Sequence, residues 1–488
     1  MNLFRFVSRN YLLVAKTVVI FQVLLSGTFS LASEGPNFVF ILTDDQGWTG
    51  MSASMLSEQN VGSDYYLTPN MTRLAQSGMR FSRGYAPAAL CCPSRRSLQF
   101  GQSPLRMGDD RQFAERYPID SQRLTIPRLL KSIDPRYAAA HYGKWDMRTP
   151  LAPEHLGYDE GDGVTGNGNG SEGDNGAPDP VAKDEKWSGH AELEDPKRIF
   201  SITARATDFM QRMSAEKRPF YVQLSHYAVH ADMQMRAETL AKTKPRHKGE
   251  IHANPFYAAM TEDLDAGIGL LLAKLDELKL RENTYIIFMA DNGGVPWIPP
   301  DRVKNFSNPT TLADKGANYP LRAGKWTVFE GGVRVPFMVS GPGIPPGTFS
   351  NVPVIGWDIL PTIADLAGYQ KALPADIDGA SFRSVLENNG VGRIPRPNDF
   401  LIFHRFSNAY RHTAIQQDDF KLIRFWKRDV PGVAIKELQL YNLRDDIGET
   451  QNLAANMPEK VRELERQMSD YLRSVDFDVH AASDSSDE

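Results

Sequence analysis

Cysteine is nearly absent from this chain: 2 among 488 residues, Cys91 and Cys92, side by side. Neighbouring residues hold their Cα atoms closer than disulfide geometry accepts without strain. No disulfide framework is available, and stability has to come from packing or from packing together with a bound metal. A basic surplus is missing too. Lys and Arg number 55 against 60 Asp and Glu, a formal charge of -5 with a sequence pI of about 6.1. That excludes the electrostatic footprint of a nucleic-acid binder, and an anion could be held only by local positive charge. Long apolar runs are confined to the first residues. Arg5, Arg9 and Lys16 precede the apolar stretch from Thr17 to Leu25, and Ser30-Leu31-Ala32 offers a small-x-small cleavage site. Residues 1–32 therefore read as a signal peptide cut after Ala32, and the protein as secreted or periplasmic. No later segment is apolar enough to span a bilayer, so no stable membrane insertion is expected.

What is present is an ordinary globular balance, 41% hydrophobic and 24% charged, in a chain long enough for a large domain and a smaller one. Three apolar runs each end in a polar cluster. Asn37–Leu42 runs into Thr43-Asp44-Asp45-Gln46-Gly47, Phe220–Ser225 into His226 through His230, and Tyr285–Ala290 into Asp291-Asn292-Gly293-Gly294. Runs of this kind fit strands buried on both faces. Before the third, Met260, Leu264, Ile268, Leu271, Leu272, Leu275 and Leu278 share one helical face. Alternating strand, polar loop and helix predicts an α/β sheet covered on both sides, with ligands bound beyond the carboxyl ends of the strands. Residues 161–180, rich in Gly, Asn and Asp, read as a flexible surface insertion. From about Asn398 the pattern changes. Short strands at Leu401–His404, Thr413–Gln416, Phe420–Trp426 and Leu438–Asn442 predict a small antiparallel sheet, followed by a helix whose face carries Val461, Leu464, Met468, Tyr471 and Leu472. The predicted organisation is a catalytic domain over 33–397, an α+β subdomain over 398–476 and a disordered acidic tail over 477–488.

Asp44, Asp45, Asp291 and Asn292 bring hard oxygen ligands from two strand ends, a set that suits Ca²⁺ or Mg²⁺ and not zinc. Any one Asp-Asp or Asp-Asn pair could equally be a turn or a helix cap. Basic groups stand in unusual settings: Arg95 and Arg96 after Cys-Cys-Pro-Ser, Lys144 in His-Tyr-Gly-Lys-Trp, Lys325 in Arg-Ala-Gly-Lys-Trp, and His226 and His230 just past a buried strand. Alone, each is a solvated charge or a satisfied histidine. Gathered around a metal, they would make an anion site for phosphoryl or sulfuryl transfer.

Cys91-Cys92-Pro93-Ser94-Arg95 resembles the Cys-x-Pro-x-Arg signature of the formylglycine-dependent sulfatases, within the alkaline phosphatase-like superfamily. The resemblance extends through Thr68-Pro69-Asn70, Tyr85-Ala86-Pro87, Tyr227 to His230, Asp291 to Gly294, Gly324-Lys325, Glu330 to Pro336, Trp357-Asp358, and Leu440 to Leu453. It covers about Gly35 to Val475. It implies a large α/β/α sandwich resembling alkaline phosphatase, packed on a smaller antiparallel sheet with a C-terminal helix. It implies that a formylglycine-generating maturation enzyme oxidises Cys91 to 3-oxoalanine, whose hydrate is the nucleophile. Asp44, Asp45, Asp291 and Asn292 would bind one Ca²⁺ together with residue 91. Arg95 would support the diol, Lys144, His230 and Lys325 would bind the sulfate, and His230 or Lys325 would protonate the leaving alcohol. The implied reaction is hydrolysis of a sulfate ester, on a sulfated carbohydrate, with release of inorganic sulfate.

The chain departs from the family in three places. Gly143-Lys144-Trp145-Asp146 has aspartate where the family commonly has histidine, which makes Asp146 a candidate general base or a residue that merely orients Lys144. Phe100 and Gln102 replace Thr and Arg after the cysteine motif, and Ala231-Asp232 replaces Thr-Pro after His230. Two other readings stay open at this point: a phosphodiesterase or phosphonate hydrolase of the same superfamily, and a non-catalytic, calcium-dependent glycan binder.

Overall fold

The computed structural model describes residues 35–108, 110–166, 189–296, 318–405, 410–428 and 436–478. The leader, the last residues of the tail and most of the 161–180 stretch lie outside them. Among the described residues, no helix is long and apolar enough to cross a membrane.

The main sheet is built from eight strands: β1 (Asn37–Thr43), β2 (Met79–Phe81), β3 (Ala138–Gly143), β4 (Glu160–Gly161), β5 (Phe220–Ser225), β6 (Thr284–Ala290), β7 (Phe337–Ser340) and β8 (Thr348–Ser350). Their order across the sheet is β8-β2-β7-β6-β1-β5-β3-β4. All pairings are parallel except those of β7, which runs antiparallel to both β6 and β2. The central strands are buried along their whole length, as a sheet covered on both faces requires.

Side-chain alternation divides β1 between two cores. Val39 and Ile41 face one layer with α1 (Pro69–Gln76), α4 (Ile199–Ala215) and α5 (Pro255–Glu277). Phe38, Phe40 and Leu42 face the other, with α2 (Cys91–Phe100), α3 (Ile126–Ile133) and α6 (Ile359–Leu366). Helix α5 shows why the sequence reads so clearly there. Asn254 caps it by accepting the N–H groups of Phe256 and Tyr257 at 2.9 and 3.0 Å, Pro255 opens it, and Met260, Leu264, Ile268, Leu271, Leu272 and Leu275 are buried. Each such side chain taken out of water stabilises the fold by about 1.5–3 kcal/mol.

The second sheet joins β9 (Leu401–Arg405), β10 (Tyr410–Gln417), β11 (Phe420–Arg428) and β12 (Leu438–Asn442) in sequential antiparallel order. One face, with Phe403, Ala414, Ile423 and Tyr441, packs on Tyr85, Val328, Phe329 and Trp357 of the main body. The opposite face, with Ile402, Ile415, Leu422 and Leu440, is covered by α7 (Pro458–Ser474) through Val461, Leu464, Met468, Tyr471 and Leu472.

Candidate active site

Four loops meet beyond the carboxyl ends of β1, β6, β3 and β5. Strand β1 ends in Asp44 and Asp45, the latter held at φ 57°, and β6 ends in Asp291 and Asn292. Lys144 follows β3 across Gly143. That glycine has φ 97°, and a Cβ there would stand 2.1 Å from the Ser225 carbonyl, so only glycine lets β3 leave the sheet at this point. The Lys144 N–H then donates to Ser225 O at 2.7 Å. Gly293 closes against the 324–332 loop in a similar way: its N–H reaches Gly332 O at 2.9 Å, and a Cβ would collide with Gly331 O at 1.8 Å.

Cys91 is the first residue of α2 and is fully buried. Its Sγ lies 3.3 Å from Asp44 Oδ1, 3.8 Å from Asp45 Oδ1 and 3.5 Å from Lys325 Nζ. One helical turn on, Arg95 donates Nε to Asp291 Oδ2 at 2.9 Å and Nη1 to the Lys144 carbonyl at 2.5 Å, with Nη2 2.7 Å from the same Asp291 oxygen. Lys144 Nζ is 2.6 Å from Asp44 Oδ2, Lys325 Nζ is 2.7 Å from Asp45 Oδ2, and Asn292 Nδ2 donates to Asp45 Oδ1 at 2.7 Å. His230 Nε2 lies 3.7 Å from Asp45 Oδ2. Asp146, buried and at φ 49°, faces Lys144 Nζ at 3.8 Å and Arg148 Nε at 3.8 Å. The structure thus brings together Asp44, Asp45, Cys91, Arg95, Lys144, His230, Asp291, Asn292 and Lys325, with Asp146 joined to the cluster through Lys144. Arg96 and His226 serve elsewhere. Arg96 binds the Met147 carbonyl at 2.6 Å and Asp110 at 2.8 Å, while both ring nitrogens of buried His226 lack a hydrogen-bond partner.

The electrostatics follow from this crowding. Burial raises the Cys91 thiol well above its ordinary pKa, and the charges of Asp291 and Asp44 raise it further. As a plain thiol it stays protonated and is a poor nucleophile. Burial also opposes ionisation of Asp44, but Lys144 and the other cations around it hold it well below the usual carboxylate range. Burial and the Asp44 charge push Asp291 up to about 7. Burial, with Lys325 beside it, keeps His230 neutral. Its Nδ1 sits against the Ala231 carbonyl, which can only accept, so Nδ1 carries the proton and Nε2 presents a lone pair to the site.

The donor set also fits a hard cation. Asp44, Asp45, Asp291 and Cys91 offer ligand atoms that all lie within 4.8 Å of one another. The buried Asn292 Oδ1 has no hydrogen-bond partner, an expensive state unless something else coordinates it. Carboxylates plus an amide oxygen suit Ca²⁺ or Mg²⁺.

Residues 36–369 match the family model described as Sulfatase, and residues 323–477 match that of the N-sulphoglucosamine sulphohydrolase C-terminal region. The chain belongs to the sulfatase family. A sulfatase of Formosa agariphila is 26% identical, over 91% of this chain and 89% of its own length. The N-acetylgalactosamine-6-sulfatase of the dog, Canis lupus familiaris, is 29% identical over 71% of this chain, and the match spans 65% of the dog protein. Among solved structures, Ps i-CgsB in complex with k-i-k-neocarrahexaose shares the fold, with a TM-score of 0.71 and 24% identity over 93% of this chain and 96% of that one.

Several residues that shape this sulfatase site carry no signal in the sequence. Thr165 clamps the Lys144 loop: its Oγ1 accepts the Trp145 N–H at 2.7 Å and donates to Gly143 O at 2.8 Å, and its carbonyl accepts the Asp146 N–H at 2.9 Å. Asn318 bridges Gly294 and Ala323 on either side of the Lys325 loop. Thr165 sits at the edge of a low-complexity stretch, and Asn318 lies outside any motif. At the far end of α2, the two departures Phe100 and Gln102 line a separate cavity of about 370 Å³ with Arg123, Leu124 and Ile377. That cavity is not where the reactive groups converge.

Proposed function

We propose that the protein hydrolyses sulfate esters of a carbohydrate, with Cys91 oxidised to formylglycine as nucleophile and one Ca²⁺ held by Asp44, Asp45, Asp291 and Asn292. The observation that carries this reading is the burial of Asp44, Asp45 and Asp291 with Arg95, Lys144 and Lys325 around a thiol that is itself kept protonated. A site so rich in fixed charge is built for an anion, and the raised Cys91 thiol agrees with a nucleophile other than the unmodified cysteine.

The hydrated aldehyde would supply a hydroxyl nucleophile, together with a second hydroxyl through which the aldehyde is regenerated. The cation would supply Lewis-acid stabilisation of the sulfuryl oxygens. The chain's own residues do the rest. Arg95 ties Asp291 to the Lys144 carbonyl and so fixes two of the loops relative to α2. Lys144 and Lys325 present preorganised ammonium groups to the sulfate, whose charge shifts during transfer. Of the two candidates for protonating the leaving alcohol, Lys325 carries a proton in the resting site and neutral His230 exposes a bare Nε2. Lys325 could donate its own proton directly, whereas His230 would first have to take one up at Nε2. The dog relative's name is that of an enzyme acting on a sulfated amino sugar, which supports a sugar substrate here. Export through the 1–32 leader would place the enzyme where such polymers occur, after a maturation enzyme has acted on Cys91.

The test is release of inorganic sulfate from sulfated oligosaccharides and an aryl sulfate, run beside phosphodiester substrates, before and after chelation. Sulfate release that chelation abolishes and Ca²⁺ restores supports the reading. Turnover of the phosphodiesters alone would sink it, and tight glycan binding without turnover of any substrate would mark a binding protein.

A further inference from the structure

The loop that carries Lys325 has little regular structure before the short helix Glu330–Val333, yet it holds an ammonium 3.5 Å from Cys91 Sγ. Much of what pins it comes from the far end of the chain. Lys421 of β11, wholly buried, places Nζ 2.8 Å from Glu330 Oε1 and 3.0 Å from Glu449 Oε1. The other Glu330 oxygen accepts from the Tyr85 hydroxyl at 3.0 Å and from Arg334 at 3.2 Å. Glu449 Oε2 accepts the backbone N–H of Glu330 at 2.7 Å. At the start of the loop, Arg322 donates to the Tyr441 hydroxyl at 2.9 Å and to the Glu449 carbonyl at 2.8 Å. In its middle, the Val328 N–H donates to His412 Nε2 at 3.1 Å. Lys325 sits between these anchors, and its own N–H is bonded to Gly294 O at 3.0 Å.

We propose that Lys421 and Glu449 are positioning residues for Lys325. The second sheet and the turn after it set where the Lys325 ammonium stands, without either residue touching substrate. The physical reason is the cost of misplacing buried charge. Lys421 is shared by two carboxylates that also bind the loop backbone and Arg334, so the ion cluster has one low-energy arrangement and the loop inherits it. Small displacements of a catalytic group cost rate because its alignment with the reacting atoms is lost. The kinetic consequence rests on the sulfatase reading; the structural one does not.

The test is the Lys421→Met/Glu449→Gln double variant, which removes one charge of each sign at similar side-chain volume. On a sulfated oligosaccharide kcat is expected to fall about tenfold or more while KM changes less than about twofold. The same pair of substitutions in a Lys325→Ala background is expected to cost no further kcat, although both backgrounds lose the same Tm. Hydrogen exchange is expected to rise about tenfold in peptides spanning 322–334 and to stay unchanged around Asp44 and Cys91. A further, multiplicative loss of kcat in the Lys325→Ala background would overturn the proposal, as would exchange that rises evenly over the protein or not at all. Should the double variant fail to fold, Tyr441→Phe, which removes one of the two hydrogen bonds holding Arg322 and leaves the ion cluster intact, is expected to give the same pattern at smaller amplitude. A wild-type protein that releases no sulfate would end the sulfatase reading; the exchange pattern would still decide the positioning of the loop.

Discussion

Two of the buried ionic clusters among the described residues are built for different ends. In the junction between the sheets, Glu330 and Glu449 each face Lys421, and Arg334 backs Glu330 at 3.2 Å. Carboxylates and cations are equal in number there. In the active site, Asp44, Asp45, Asp291 and Asp146 stand among Arg95, Lys144, Lys325 and Arg148, also equal in number, and His230 adds no charge. Asn292 Oδ1 and Asp146 Oδ2 are left without hydrogen-bond partners. The junction is balanced and holds a loop in place. The site is balanced as well, but it leaves the Asn292 oxygen open among converging carboxylates, and a divalent cation there would give it net positive charge and make it receptive to a sulfate group.

The contrast can be broken most sharply at the nucleophile. Cys91→Ala is expected to lower kcat by ~10⁴-fold or more, because covalent chemistry is lost while binding groups remain, with little change in Tm. A variant that keeps a tenth of wild-type sulfate release would show that residue 91 is not the nucleophile. The junction should respond the other way. Lys421→Met alone leaves two carboxylates buried beside a missing cation and is expected to destabilise the protein by about 3–5 kcal/mol in denaturant unfolding.

Asp146 tests the boundary between the two behaviours. Burial raises its pKa against the pull of Lys144, Arg95 and Arg148. Asp146→Asn is therefore expected to change stability by less than about 1 kcal/mol while lowering kcat about tenfold. Wild-type turnover by Asp146→Ala would remove any role for it. An effect on stability alone concerns acid. Burial depresses His226 to about 4 and His412 to about 3, below their unfolded value of about 6.5. Groups depressed in the folded state bind fewer protons there. The stability they contribute is present above pH 6.5 and is lost as pH falls toward 4, by on the order of 3 kcal/mol for His226. His226→Phe should flatten the fall in Tm over that window.

The fold was legible wherever local pattern and burial agree. The runs at 37–42, 220–225 and 285–290 became β1, β5 and β6, and the periodic face from Met260 became α5 because capping and burial act together there. Strand β3 was less readable, since Ala138-Ala-Ala-His-Tyr-Gly143 has little β-branched or long apolar character and owes its place to pairing with β5. The antiparallel β7 left no mark in a sequence otherwise resembling a parallel sheet. In the site, the charged groups were legible as motifs. Their supports were not, because Thr165, Asn318 and Lys421 act through contacts with residues distant in sequence or with backbone atoms. Neither composition nor spacing records such contacts.

The central claim is the chemistry of residue 91, and it is tested most directly by the mass of the peptide containing it, from protein purified out of its native host. The prediction is a peptide in which the thiol sulfur and two hydrogens have been exchanged for an aldehyde oxygen, with Cys92 unchanged. An intact Cys91 thiol in protein that nevertheless releases sulfate at full rate would contradict it.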